Sequence, residues 1–130
     1  MDIDKPLIAA VNGYAISGGL EMALACDLRF ASDSASFALQ DAKWGFHACD
    51  GALIRLPLVV GLGHAMEMIL SGERIDAEQA FRIGLVNRLW SQSDLLPKVL
   101  EYADMLAWRA PLSHRFAKAL MRRAIGLPLP

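Results

Sequence analysis

Lys5-Pro6-Leu7-Ile8-Ala9-Ala10-Val11-Asn12-Gly13-Tyr14-Ala15-Ile16-Ser17-Gly18-Gly19-Leu20-Glu21, continuing through Met22-Ala23-Leu24-Ala25-Cys26-Asp27, decides how the chain is read. An apolar strand spans Lys5 to Val11, with Pro6 confined to its start, and runs into an Asn12-Gly13 turn. A helix leaves from Gly18 or Gly19 and reaches Cys26. Glycines at such a junction let a backbone N–H approach a ligand closely. A helix start adds unpaired donors and partial positive charge. Glu21 places a carboxylate one turn away. The layout suits negative charge developing on a bound molecule, with an acid or base beside it.

Working outward, Asp27 to Ala31 reads as a second strand and Ser36 to Leu39 as a third, so strand, helix and strand imply a parallel crossover. Gln40 to Gly45 reads as a short turn or a single helical turn. Helices are predicted over Gly51 to Val60, despite Pro57, and over His64 to Leu70. Asp76-Ala77-Glu78-Gln79 matches a capped helix start, with Asp76 as the cap. Leu85 to Trp90 is a short extended piece. A long amphipathic helix follows from Ser93 or Asp94 to about Arg109, and Pro111 opens a last one. The balance shifts from strands before residue 50 to helices after it, with no linker between. The tail from Gly126 to Pro130 reads as an end that frays or has been cut.

The chain has 130 residues, enough for one small domain. Hydrophobic residues make up 55% of it, more than a small core needs, which favours a piece of an oligomer over a free monomer. A net charge of −1 gives no basic field for nucleic acid. No apolar run is expected to span a membrane, the longest being broken by Gly, Glu, Asp or Arg, and the acidic opening is unlike a signal peptide. Cys26 and Cys49 have no metal-site spacing and read as ordinary reduced cysteines of a cytoplasmic protein. No metal is expected.

Several separate motifs, in order, resemble the crotonase superfamily of enoyl-CoA hydratases and isomerases. Lys5 to Ala15 with Gly18-Gly19-Leu20-Glu21 and Cys26-Asp27 carry the first part of the likeness. Phe37-Ala38-Leu39-Gln40-Asp41 through Trp44-Gly45 carry the next, then Gly51, Arg55-Leu56-Pro57 and Gly61. Gly72 to Ala77, Ala80 and Gly84-Leu85-Val86-Asn87 complete it. The resemblance implies an α/β fold, the crotonase-like (ClpP/crotonase) ββα-repeat spiral core. Here it would be incomplete over residues 1–60 and followed by a helical trimerisation region over 61–130.

It also implies chemistry. Two backbone N–H groups hold the thioester carbonyl of an acyl-CoA and stabilise an enolate, and one of them matches Gly18. Such a donor is worth roughly 3–4 kcal/mol in the transition state. Two carboxylates that activate water and handle the Cα proton match Glu21 and Asp41. Tyr14, Ala15, Gly19, Trp44 and Cys49 are the substrate-binding residues implied. No cofactor is expected beyond the coenzyme A of the substrate, and the assembly implied is a homo-trimer or a dimer of trimers. Hydration of a 2-enoyl-CoA is the activity expected. Isomerisation or dehydration within the same superfamily is the alternative, as is a truncated, non-catalytic paralogue. An α/β hydrolase is excluded because no Gly-x-Ser-x-Gly occurs.

Each assignment has a plainer rival. Glu21 would equally serve as a first-turn partner of the helix dipole, and Gly18-Gly19 as a close helix–sheet contact. Asp41 would equally cap the turn that follows, or be neutralised by Lys43. Trp44 fits either an acyl pocket or the core. Arg115, Lys118, Arg122 and Arg123 form either a solvated face or a site for CoA phosphates. Departures from the family pattern also stand out. Ser17 replaces a common Gly, Gln40 a Pro and Asp41 a Glu, which shortens the reach by one methylene. Cys49 stands where a Gly N–H usually helps to hold the water. The strands that carry the second oxyanion donor and the CoA loop have no counterpart here. The chain is therefore expected to be a fragment or a truncated product, and a poor catalyst by itself.

Overall fold

The computed structural model describes residues 3–126; the expected start at Met1-Asp2 and most of the predicted fraying tail lie outside them. Six short strands form two sheets. In the first, β1 (Ile8–Val11) and β6 (Arg88–Trp90) flank β3 (Leu28–Ser32), all parallel. In the second, β2 (Tyr14–Ile16) lies parallel to β4 (Ser36–Ala38), which pairs antiparallel with β5 (Ile75–Asp76). The predicted parallel crossover is the β1–β3 pair, with Ile8 opposite Leu28.

Helices α1 (Gly18–Ala25), α2 (Ala52–Val60), α3 (Leu62–Ser71) and α4 (Ala77–Arg82) surround the second sheet. Leu20, Phe37, Leu39, Leu56 and Leu85 are fully buried there, each side chain worth about 1.5–3 kcal/mol of burial. Alternation along β3 splits the packing. Ala31 faces this main core, while Phe30 faces α5 (Leu95–Ala107) and meets Trp90 and Tyr102 edge-on at 5.3 and 4.9 Å. Asp76 caps α4 as predicted, its Oδ1 accepting from Gln79 N at 2.8 Å.

Helix α6 (Pro111–Ala124) buries none of its side chains. Ion pairs hold it. Asp27 Oδ2 accepts from Lys118 at 2.6 Å and Oδ1 from Arg122 at 2.9 Å, while Arg115 meets Asp4 at 3.0 Å. Arg115, Lys118 and Arg122 are therefore engaged with Asp4 and Asp27 rather than simply solvated.

Three differences from the sequence reading have physical causes. The tripeptide Tyr14–Ile16, to which no element was assigned, is a strand because Ser36–Ala38 pairs beside it. The pair Ile75–Asp76, of which Asp76 was expected only as a helix cap, is likewise a strand through its partner. And one run does approach a membrane span: Ala52–Ser71 is apolar enough by length and composition, with a mean hydropathy of 1.6. Gly61, at φ 79°, breaks it into α2 and α3, which fold against each other.

Candidate active site

Strands β2 and β4 end side by side, Ile16 opposite Ala38. Beyond the carboxyl end of β2 the chain enters α1; beyond that of β4 it enters a 3-10 helix, Gln40–Trp44. Carboxyl ends of adjacent parallel strands are the usual place for a ligand crevice. Glu21 and Asp41, the two carboxylates singled out by the resemblance, belong to these two exits.

Glu21 is 3% exposed, on the buried side of α1. Its Oε1 accepts two backbone N–H groups at the start of α2, Asp50 N at 2.8 Å and Ala52 N at 3.0 Å. Gly51 between them adopts φ 106°, a left-handed turn that glycine enters freely, and this turn aims both N–H groups at one oxygen. Glu21 is thus no solvent-facing partner of its own helix dipole. One oxygen is anchored on these two donors.

Asp41 is 7% exposed, and its Oδ2 is buried with no hydrogen-bond partner among the described residues. Neither plainer role fits it. The cap position of the 3-10 helix is Leu39, with no side-chain cap, and Lys43 pairs instead with Glu73 at 2.9 Å. An orphaned buried carboxylate oxygen costs stability and calls for an explanation, a catalytic role or a bound water among them.

Gly18 is the first residue of α1, so its N–H has no acceptor within the helix. A Cβ built on Gly18 or Gly19 would meet nothing within 4 Å among the described residues, and neither has a positive φ. Packing against the sheet does not call for these glycines. Ser17, just before them, is held at φ 48°, ψ −114°, a conformation that costs a serine about 1–3 kcal/mol.

The expected substrate-binding residues are dispersed. Tyr14 is 78% exposed and lies under the Arg74 guanidinium, 4.9 Å from its ring centroid. Ala15 is buried in the core, so its side chain offers no surface. Trp44 is exposed rather than packed. Cys49 is an exposed free thiol in the loop before α2. No group of three or more metal-ligating side chains occurs among the described residues.

Other working residues escaped the sequence. Asp50 and Ala52 act through backbone N–H groups, which no side-chain motif reports; a glycine ahead of an apolar helix was the available signal. Arg29 is 6% exposed and caps the far end of α1, its Nε donating to Leu85 O at 2.8 Å and Nη1 to Cys26 O at 3.0 Å. Burial pulls its pKa down, opposed by Cys26 and Asp27. It fixes the helix that carries Glu21, and an arginine inside a strand gave no hint of it.

The enoyl-CoA hydratase/isomerase family profile matches residues 1–130. A carnitinyl-CoA dehydratase of Citrobacter koseri is 44% identical over 128 residues, 98% of this chain and 49% of the relative. Among solved structures, an enoyl-CoA hydratase from Bacillus anthracis superposes with a TM-score of 0.95 at 37% identity, over 98% of this chain and 49% of that one. Pseudomonas aeruginosa DspI gives a TM-score of 0.91 at 43% identity, over 95% and 50%. The chain spans about half the length of the curated relatives it matches.

Proposed function

The chain belongs to the enoyl-CoA hydratase/isomerase family, and from that membership we propose that the protein carrying it is a hydro-lyase of acyl-CoA thioesters. It adds water across the double bond of a 2-enoyl-CoA, or removes water from a 3-hydroxyacyl-CoA.

The observation that carries the reading is the pair of buried carboxylates at neighbouring strand exits, one anchored on backbone N–H groups and one with an unpartnered oxygen. In hydration, the oxygen of water bonds to Cβ while one carboxylate takes its proton. Electron density moves through Cα to the thioester oxygen, which Gly18 N–H stabilises. The second carboxyl delivers a proton to Cα as the carbonyl reforms. Dehydration runs the same steps backward. The name of the dehydratase relative favours this pair of reactions over double-bond isomerisation. The short reach of Asp41 favours isomerisation, in which a proton is moved between carbons and no water needs holding.

Exposed apolar side chains on α2 and α3, among them Ile54, Leu58, Leu62, Met66 and Leu70, support a trimer or a dimer of trimers. A cytoplasmic setting goes with the free cysteines and the CoA substrate. The deciding experiment assays the purified protein on crotonyl-CoA, 3-hydroxybutyryl-CoA, carnitinyl-CoA and a 3-enoyl-CoA. Water addition or loss is expected; turnover of the 3-enoyl-CoA alone would replace the reading with isomerisation, and turnover of none would sink both. Light scattering of the same sample tests the trimer, and a monomeric mass would refute it.

A further inference from the structure

Ser17 sits where three parts of the site meet. Its N–H donates to Ala38 O at the end of β4, 2.8 Å away, and its carbonyl accepts the N–H of Glu21 at 3.0 Å. Its hydroxyl accepts the N–H of Gln40 at 3.2 Å. Gln40 opens the 3-10 helix and directly precedes Asp41. Among the described residues Ser17 is the one non-glycine with a positive φ. Glycine enters that backbone freely and serine does not, so a serine there calls for a use of the hydroxyl. The Gln40 N–H is that use.

Gln40 supplies the other half of the argument. A proline at this position, the residue usual in the resembling pattern, has no N–H to offer and stiffens the entry by its ring. Here the entry has an N–H, and Ser17 receives it. The departures at positions 17 and 40 are two ends of one hydrogen bond.

We propose that Ser17 is a positioning residue: through Gln40 it sets where Asp41 stands relative to Gly18 and Glu21, replacing the stiffness of a proline ring. Its bearing on turnover rests on the function proposed above; the hydrogen bond does not.

The test uses the full protein with Ser17→Ala, Ser17→Gly, Gln40→Pro and the Ser17→Gly/Gln40→Pro double variant. Ser17→Gly relieves the backbone, so the fold survives even where alanine would strain it. Leu39, at φ −114° and ψ 88°, is extended, and residue 40 opens its helix, so proline fits. Amide exchange at Gln40 should quicken about 10-fold or more in both Ser17 single variants. On the best acyl-CoA substrate, kcat should fall about 10- to 100-fold in both, with KM within about threefold. The double variant should recover kcat to within about threefold of wild type. Unchanged exchange at Gln40, unchanged kcat, or a double variant no better than Ser17→Gly would each overturn the proposal. A wild-type protein without acyl-CoA activity would fail the proposed function instead. Gln40 exchange, together with urea unfolding of wild type, Ser17→Gly, Gln40→Pro and the double variant, then decides the hydrogen bond, and strict additivity of the two substitutions refutes it.

Discussion

Replacing Glu21 by glutamine and by alanine separates its chemistry from its tether. The anchored oxygen takes two N–H groups, at 2.8 and 3.0 Å, in a residue 3% exposed. Alanine strands both donors. Ala52 N is buried, so its loss of a partner costs about 1–3 kcal/mol. Asp50 is exposed, so water takes over much of its share. The removed methylene adds about 0.8 kcal/mol where it was packed. A total of about 2–4 kcal/mol is expected for Glu21→Ala, read as a lower urea midpoint with an unchanged slope. Glutamine keeps an oxygen in the same place for both donors and loses only the charge, so about 1 kcal/mol or less is expected. Its activity should nevertheless fall about 10²- to 10⁴-fold, because an amide takes up no proton at this step. Unfolding curves and acyl-CoA turnover of the three proteins check both halves. A glutamine variant that keeps a tenth of the activity while losing as much stability as alanine would make Glu21 a structural residue.

Gly18→Ala should fold without loss of stability, since its Cβ meets nothing within 4 Å, yet lose about 10-fold or more in kcat/KM if the thioester oxygen approaches there; unimpaired turnover would move the oxyanion site elsewhere. Asp27→Asn removes the charge that Lys118 and Arg122 share, so amides of 111–124 should exchange faster and stability fall by about 1 kcal/mol; unaltered exchange would show that α6 is held by something other than these pairs. Burial pushes the Cys26 thiol above its ordinary range, with Arg29 opposing, while Cys49 is exposed. Iodoacetamide at pH 8 should therefore label Cys49 first, with Cys26 following only as the pH rises. Equal rates would contradict the burial of Cys26.

The strand ending at Val11, the helix carrying Glu21, the capped start at Asp76 and the last two helices were all legible, because periodicity and capping are local properties of a sequence. Strands β2 and β5 were not: three and two residues long, they exist only through partners at Ser36–Ala38. The division of the apolar run Ala52–Ser71 into two helices was legible too, whereas its combined length and hydropathy were underrated. Within the candidate site, Gly18-Gly19 and Glu21 were singled out by the strand–glycine–helix layout and Asp41 by resemblance, and their neighbourhoods were not legible. The N–H groups that hold Glu21 belong to whichever residues happen to reach them, and the hydroxyl of Ser17 became informative only once its φ and its partner were seen.

The strand pairs also differ in how far along the chain they reach for their partners. Leu7 and Asp27, 20 residues apart, and Ser17 and Gln40, 23 apart, knit the segment that carries both carboxylates. Arg29 and Asn87, which bring in β6, are separated by 58. Loop closure grows only slowly with span, so the longer reach costs about 1 kcal/mol more. That still orders events, because short-range contacts form first. In refolding followed by pulsed amide labelling, residues 17–40 are expected to be protected ahead of residues 87–90, and simultaneous protection would refute this order. The segment bearing Glu21 and Asp41 would then be assembled early, and the arrival of β6 would serve as the clasp that shuts the fold around it.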